Sequence, residues 1–122
     1  MTRRSQTLGQ WGEQLAESLL VKSGVRVLVR NYRCDHGEID LVVDDEGELV
    51  AVEVKTRTLL DIETPEEAVS GWQLRRIVNA LAEVAPILGM QHEHWRIDVV
   101  AVQVDVDGRV QRLEHIRDAY PR

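Results

Sequence analysis

Three side chains in the first half of the chain have the types and spacing to do chemistry: Asp40, Glu53 and Lys55. They lie in Gly37-Glu38-Ile39-Asp40-Leu41-Val42-Val43 and in Leu49-Val50-Ala51-Val52-Glu53-Val54-Lys55-Thr56-Arg57. Both stretches alternate in side-chain character, as strands with one buried face do. Ile39, Leu41 and Val43 are predicted to share an inner face, and Val50, Val52 and Val54 likewise. Between them Asp44-Asp45-Glu46-Gly47-Glu48 is polar, and its glycine can take a positive φ, so the two stretches read as a hairpin. Joining the apolar faces fixes which side chains share the other face, because a one-residue slip would expose the core set, while a slip by two keeps the parity and leaves Asp40 and Glu53 near neighbours. With Val43 opposite Val50, Asp40 falls opposite Glu53 and Glu38 opposite Lys55. Opposed residues have Cβ atoms about 5 Å apart, where like charges repel. Two carboxylates so held call for a shared proton or a cation. Mg²⁺ meets that need with one or two carboxylates, completing its shell with water and substrate phosphate. Charges on the solvated outer face of a hairpin would give the same pattern, and Glu-x-Lys by itself does not separate the two readings.

Asp40, then a dozen residues, then Glu53-x-Lys55 on a hairpin resembles the active-site signature of the PD-(D/E)xK nuclease superfamily. More closely, Gly37-Glu38-Ile39-Asp40-Leu41 and Val52-Glu53-Val54-Lys55-Thr56-Arg57 resemble the YraN family of small bacterial proteins, similar in turn to archaeal Holliday junction resolvases. Gly9-x-x-Gly12-Glu13, Asn31-Tyr32-Arg33 and Arg96-Ile97-Asp98-Val99-Val100 extend the resemblance over nearly the whole chain. It implies a restriction-endonuclease-like α/β fold and a metal-dependent endonuclease for structured or branched DNA. Asp40 and Glu53 would hold Mg²⁺ or Mn²⁺, with Glu13 completing the shell directly or through water. Lys55 would orient water or stabilise charge growing on phosphorus. Glu38, opposite Lys55, is a candidate to pair with it, and Arg33, Arg57, Arg75 and Arg76 are candidate phosphate contacts. Relatives usually carry a lysine in the first turn of the helix after the Glu-x-Lys strand; here the residue is Gln73, which the resemblance makes a candidate nucleic-acid contact that orients water or phosphate by hydrogen bonding but brings no charge. A homodimer would supply two sites for cutting two strands. The alternative is a catalytically weak or inactive nucleic-acid-binding or protein-interaction module on the same fold, and a third reading makes Asp40 and Glu53 plain surface charges.

A chain of 122 residues with 43% apolar content reads as one domain, residues 1–122, with one core. A single cysteine, Cys34, excludes an internal disulfide and suits a reducing, cytoplasmic setting. The basic start has no apolar run behind it to make a secretory signal, and no stretch approaches the length of a membrane span. A net charge of −6 argues against a nonspecific coat on nucleic acid, yet leaves room for a nuclease whose acids gather at a metal site.

The elements that must carry these residues follow from periodicity. A first helix is predicted over 5–24, burying Leu8, Trp11, Leu15 and Leu19, capped by Thr7 and Gln10 and stopped by Gly24. Glu13 flanks that stripe beside Gly9 and Ala16. Val25 to Val29 reads as a strand, and Asn31 to Gly37 as the turn into the hairpin, where Tyr32 either holds phosphate or anchors the turn. His36 is a turn histidine with the chemistry of a base or ligand. Residues 58–63 read as a loop, Thr64-Pro65-Glu66-Glu67 as a short turn, and 71–85 as the main helix ending near Pro86. Its apolar side is Trp72, Ile77, Leu81 and Val84. His92-x-His94 could bind zinc, but no second ligand pair is evident. Trp95 to Val104, a turn at Asp105-Val106-Asp107-Gly108, and Arg109 to Ile116 complete the order α-β-β-β-α-β-β, a central mixed sheet flanked by helices.

Overall fold

The computed structural model describes residues 7–61, 63–65, 67, 69–91 and 93–120. Its elements are α1 (Leu8–Lys22), β1 (Arg26–Cys34), β2 (Gly37–Asp45), β3 (Glu48–Thr58), α2 (Gly71–Ile87), β4 (Trp95–Val104) and β5 (Val110–Ile116), in the predicted order. The strands form one sheet in the order β1-β2-β3-β4-β5. β3 and β4 run parallel and every other neighbouring pair antiparallel, so the sheet is mixed. The parallel pair is joined by the crossover that contains α2, as parallel strands require. Among the described residues, no helix is long and apolar enough to cross a membrane.

The helices cover opposite faces of the sheet. Ala16 and Leu20 of α1 pack on Leu41, Val43, Val50, Val52, Val54 and Val100. Ile77, Leu81 and Val84 of α2 pack on Ile39, Val42, Leu49, Ala51 and Ile97. This corrects the expectation of one buried and one solvated hairpin face. Val42 and Ala51, predicted outward, are apolar because a second helix lies over them, as in sheets buried on both sides. Alternation also breaks inside β2, where Ile39 joins the α2 side while Leu41 joins the α1 side. The break coincides with Asn31, which lies opposite Asp40 in the register and takes φ 51°. Asparagine tolerates this left-handed conformation. β1 accordingly continues through Asn31-Tyr32-Arg33 to Cys34, where a turn was expected.

α1 begins as its cap dictates: the Thr7 hydroxyl accepts the Gln10 N–H at 3.1 Å, and the Gln10 side chain accepts the Thr7 N–H at 3.1 Å. Its buried line is Gly12, Ala16 and Leu20, one residue on from the expected Trp11, Leu15 and Leu19, which are half-buried at its edge. Leu8 is exposed. The reason is steric. Gly12 seats so closely on β3 that a Cβ there would stand 2.0 Å from Thr56 Oγ1, and only small residues allow that approach.

α2 starts at its Ser70 cap, whose hydroxyl accepts the Gln73 N–H at 3.1 Å. It runs through Pro86 rather than stopping before it; Pro86 lies in the last turn, and Leu88 closes that turn on Val84 O and Ala85 O. Trp72, expected in the core, is exposed instead. Ahead of α2, Thr64 and Glu67 bond reciprocally in a single turn.

Candidate active site

The β2–β3 ladder runs from Asp45 opposite Glu48 to Leu41 opposite Val52, and includes the predicted pairing of Val43 with Val50. One step further lie Asp40 and Glu53. There side chains take over from the backbone. Val54 N–H donates to Asp40 Oδ2 at 2.8 Å, and Asp40 N–H donates to Glu53 Oε2 at 3.3 Å. Each carboxylate is thus laced into the opposite strand, which fixes both against rotation. Gln73, positioned by its capped place in the first turn of α2, donates from Nε2 to Glu53 Oε1 at 3.4 Å.

Burial makes this pair unusual. Glu53 is 2% exposed, among the largest fully buried side chains. Burial, and then the Asp40 charge, push its carboxyl up to about 8, against the pull of the Asp40 N–H and Lys55. Burial also raises Asp40, opposed by the Val54 N–H and by Lys55. Glu13 is raised by its own half-burial and then by the charges of Asp40 and Glu38. It follows Gly12 in α1, so the tight seat on Thr56 is what carries it to the hairpin. The Asp40 charge therefore acts on Glu13 and Glu53, Lys55 acts on Asp40 and Glu53, and Glu38 acts on all three carboxyls. The desolvated carboxylates hold protons abnormally well, the condition of a site lacking positive charge.

A divalent cation fits that donor set in part. The donors are hard oxygens, and a carboxylate oxygen that accepts one N–H can still offer a lone pair. Among the described residues, no three acidic, histidine or cysteine side chains form a ready ligand group. Asp40 and Glu53 would provide two protein ligands, leaving the rest of the shell to water and substrate oxygen, the habit of Mg²⁺. Glu13 fits the role of an outer charge better than that of a direct ligand.

The other predicted residues make contacts elsewhere, although the Glu38 charge still raises all three carboxyls. Glu38 is exposed and pairs with Arg33 at 3.6 Å rather than with Lys55, because β1 lies beside it. Arg57 Nη1 donates to the carbonyl of Thr56 at 3.0 Å. Arg75 is exposed and lines a cavity of about 350 Å³ with Leu74, Val78, Trp95 and Tyr120. Arg76 reaches the Asp35 carbonyl at 3.5 Å. Tyr32 is an anchor: its hydroxyl donates to Glu83 of α2 at 2.5 Å, and that bond raises its pKa to about 12. His36 is exposed in the β1–β2 turn. His92 lies outside the described residues, and the expected His92-x-His94 pair with it.

Sequence reasoning gave Asp98 no role, although Arg96-x-Asp98 places a cation and an acid on one face of a strand. Asp98 is fully buried and accepts from Arg96 Nε at 2.9 Å and from the Asp118 N–H at 2.9 Å, and its Oδ2 lies 2.7 Å from His115 Nε2. Arg96 continues to Glu48 at 2.6 Å and Asp45 at 2.5 Å. Burial opposes the charge on Asp98, but His115, Arg96 and the Asp118 N–H together hold its carboxyl below the ordinary range. This cluster binds the turn end of the β2–β3 hairpin to β4 and β5, away from the carboxylate pair.

Comparison with known proteins adds a family. The sequence profile described as "Uncharacterised protein family UPF0102" matches residues 12–102, a span holding Glu13, Asp40, Glu53, Lys55 and Asp98. The chain is 42% identical over 120 residues to a UPF0102 protein of Moorella thermoacetica, covering 98% of each chain. It is 40% identical over 113 residues to one of Pelotomaculum thermopropionicum, covering 93% of this chain and 94% of the relative. A UPF0102 protein of Clostridium perfringens is 30% identical over 120 residues, covering 98% of each. The chain belongs to the UPF0102 family.

Proposed function

We propose that this chain is a metal-dependent nuclease that hydrolyses phosphodiester bonds, an endonuclease acting on structured or branched DNA. The observation that carries this reading is the buried Glu53 interleaved with the half-buried Asp40 across β2 and β3, with Lys55 two residues along the same strand. The resemblance of these residues to the PD-(D/E)xK signature, on a restriction-endonuclease-like order of elements, supports it.

Asp40 and Glu53 would hold Mg²⁺ or Mn²⁺, an ion that polarises a phosphate and brings a bound water within reach of deprotonation at neutral pH. Lys55 would set its ammonium against negative charge growing on the phosphorus oxygens, and it keeps both carboxylates more acidic than burial alone would allow. Gln73 holds one oxygen of Glu53 by its amide, which orients the carboxylate. Glu13 adds negative potential from α1 and draws in the cation. Buried walls around Glu53 strengthen each of these interactions. Arg57, Arg33, Arg75 and Arg76 are the backbone-phosphate contacts of this reading. Cutting two strands would take two sites, and so a C₂ homodimer.

A second reading, a nucleic-acid-binding or protein-interaction module with weak turnover, draws support from Gln73 in place of lysine and from the engagement of Arg33 and Arg76 with groups of this chain. Calorimetric titration of Mn²⁺ into the wild type and Asp40→Asn tests the site. Binding in the wild type that is lost in the variant is the expected result. Silence in the wild type, both alone and with DNA present, would overturn the metal site. Cleavage of a labelled four-way junction then separates nuclease from module.

A further inference from the structure

Trp72 is 62% exposed on the first turn of α2, where the apolar stripe would have buried it. The residue after it, Gln73, touches Glu53. Four residues on, one turn along the same side of the helix, the Arg76 guanidinium lies over the indole, 4.9 Å from the ring centroid. Arg76 also reaches the Asp35 carbonyl and crowds Gly37, where a Cβ would stand 3.0 Å from Nε. It thereby clamps α2 to the β1–β2 turn that leads into Glu38 and Asp40. Trp72 and Arg76 together form a rim beside the carboxylate pair. An isolated exposed leucine needs no explanation. A large indole held in place by an arginine, one residue from a side chain that touches the buried Glu53, is a different case. The cation fixes the ring's orientation from one face, and the residue as a whole stays largely exposed.

We propose that Trp72, steadied by Arg76, is a stacking platform for an unpaired base of the nucleic acid whose backbone enters the Asp40–Glu53 site. This deepens the nuclease reading and rests on it. Bases inside a duplex are already stacked on both faces and present only edges to a protein, so a ring face recruits bases that have left the stack. The preferred substrate then carries single-stranded nucleotides beside the scissile phosphate, at a branch point, flap, gap or end. Recognition of this kind tolerates any base, since every base offers a π-face.

The test compares full-length wild type, Trp72→Ala and Trp72→Phe in Ca²⁺ buffer, by fluorescence anisotropy. The probes are a short blunt duplex, the same duplex with a single-stranded flap, and the flap strand alone. Stacking on an aromatic ring is worth about 5- to 160-fold per base. The preference of the wild type for the flap probe over the blunt duplex is expected to fall about tenfold in Trp72→Ala and to recover in Trp72→Phe. A 2-aminopurine in the flap should be quenched by the wild type and not by Trp72→Ala. An unchanged preference, or equal weakening for every probe, overturns the platform. An Asp40→Asn variant measured on the same probes keeps the two readings apart. If it binds the flap through Trp72 but cleaves nothing in Mg²⁺, as the wild type also fails to do, the nuclease reading falls while the platform stands. If the wild type cleaves and Trp72→Ala retains the wild-type flap preference, the platform falls while the nuclease reading stands.

Discussion

At the scale of single residues, the site is defined by two carboxylates whose charge the fold makes expensive. In metal-free protein the Glu53 carboxyl has an ordinary value of 4.5 and a folded value of about 8. Between those values the folded state binds more protons than the unfolded state, so stability falls as pH rises through that window. We expect the melting temperature in chelator to drop from pH 5 to 8, and Glu53→Gln to flatten most of that decline. Mg²⁺ should restore stability at the alkaline end, because it supplies the missing positive charge. A wild-type profile that is flat across this range would contradict the burial of an ionisable Glu53. Lys55→Met should separate charge stabilisation from binding: Mn²⁺ affinity within a few-fold of wild type, with cleavage reduced by about 10²–10³, the usual effect of removing one such donor. The neighbourhood of Asp40 and Glu53 was legible in the sequence because the apolar faces fix the parity of the hairpin, and the structure adopts the register with Val43 opposite Val50. Their burial was less so. Val42 and Ala51 on the acidic face were the signal of a second helix above it.

At the scale of elements, what counts is how closely α1 approaches the sheet. Its alternation of large and small residues was readable as a helix with a cap, but the buried line was read one position early. Hydrophobicity scales favour tryptophan and leucine for the inner face; the structure chooses Gly12, Ala16 and Leu20, because distance to β3 decides. Gly12→Ala should therefore cost about 1–3 kcal/mol of stability, an overpacking penalty against Thr56. Adding Thr56→Ala removes the oxygen at 2.0 Å and leaves Thr56 Cβ at 3.2 Å as the nearest neighbour, so the double variant should regain part of the loss. Urea unfolding of the four proteins in this cycle measures the coupling. Additive losses would mean that the helix does not seat on Thr56. Asn31 shows another limit of pattern reading. The left-handed Asn31 of β1 sits level with the place where β2 changes face between Ile39 and Leu41, and period-2 counting across Asp40 assigns Ile39 to the wrong side.

At the scale of the whole molecule, two buried polar systems occupy the two ends of one hairpin. The Asp40–Glu53 pair, at the open end, is left wanting positive charge. The Asp98 cluster, at the turn end, is closed by Arg96 and His115 and joins the β2–β3 turn, β4 and β5 in one network. Their linkage to pH is opposite in sign. Asp98 is held below its ordinary 3.8, so its contribution is present above that value and lost as pH falls through the lower folded value. Glu53 works the other way, destabilising the metal-free fold as pH rises. A metal-free protein is thus expected to be most stable in mildly acidic solution, between the two windows. Asp98→Asn should lower stability above the Asp98 window and flatten the acid limb, leaving stability below it near wild type. Asp98→Ala should cost about 3–5 kcal/mol throughout, since it strips Arg96 and His115 of their shared buried partner. The same network predicts where damage travels. Losing Asp98 should loosen β4, which is paired in parallel along β3 from Leu49 to Thr58, and with it the strand that carries Glu53 and Lys55. Hydrogen exchange at Val54 reads this directly, because its N–H is the one held by Asp40. Faster exchange there in Asp98→Asn would show that the closed cluster holds the open site in register. Protection equal to wild type, in a variant that has lost stability, would show the two ends of the hairpin to be independent.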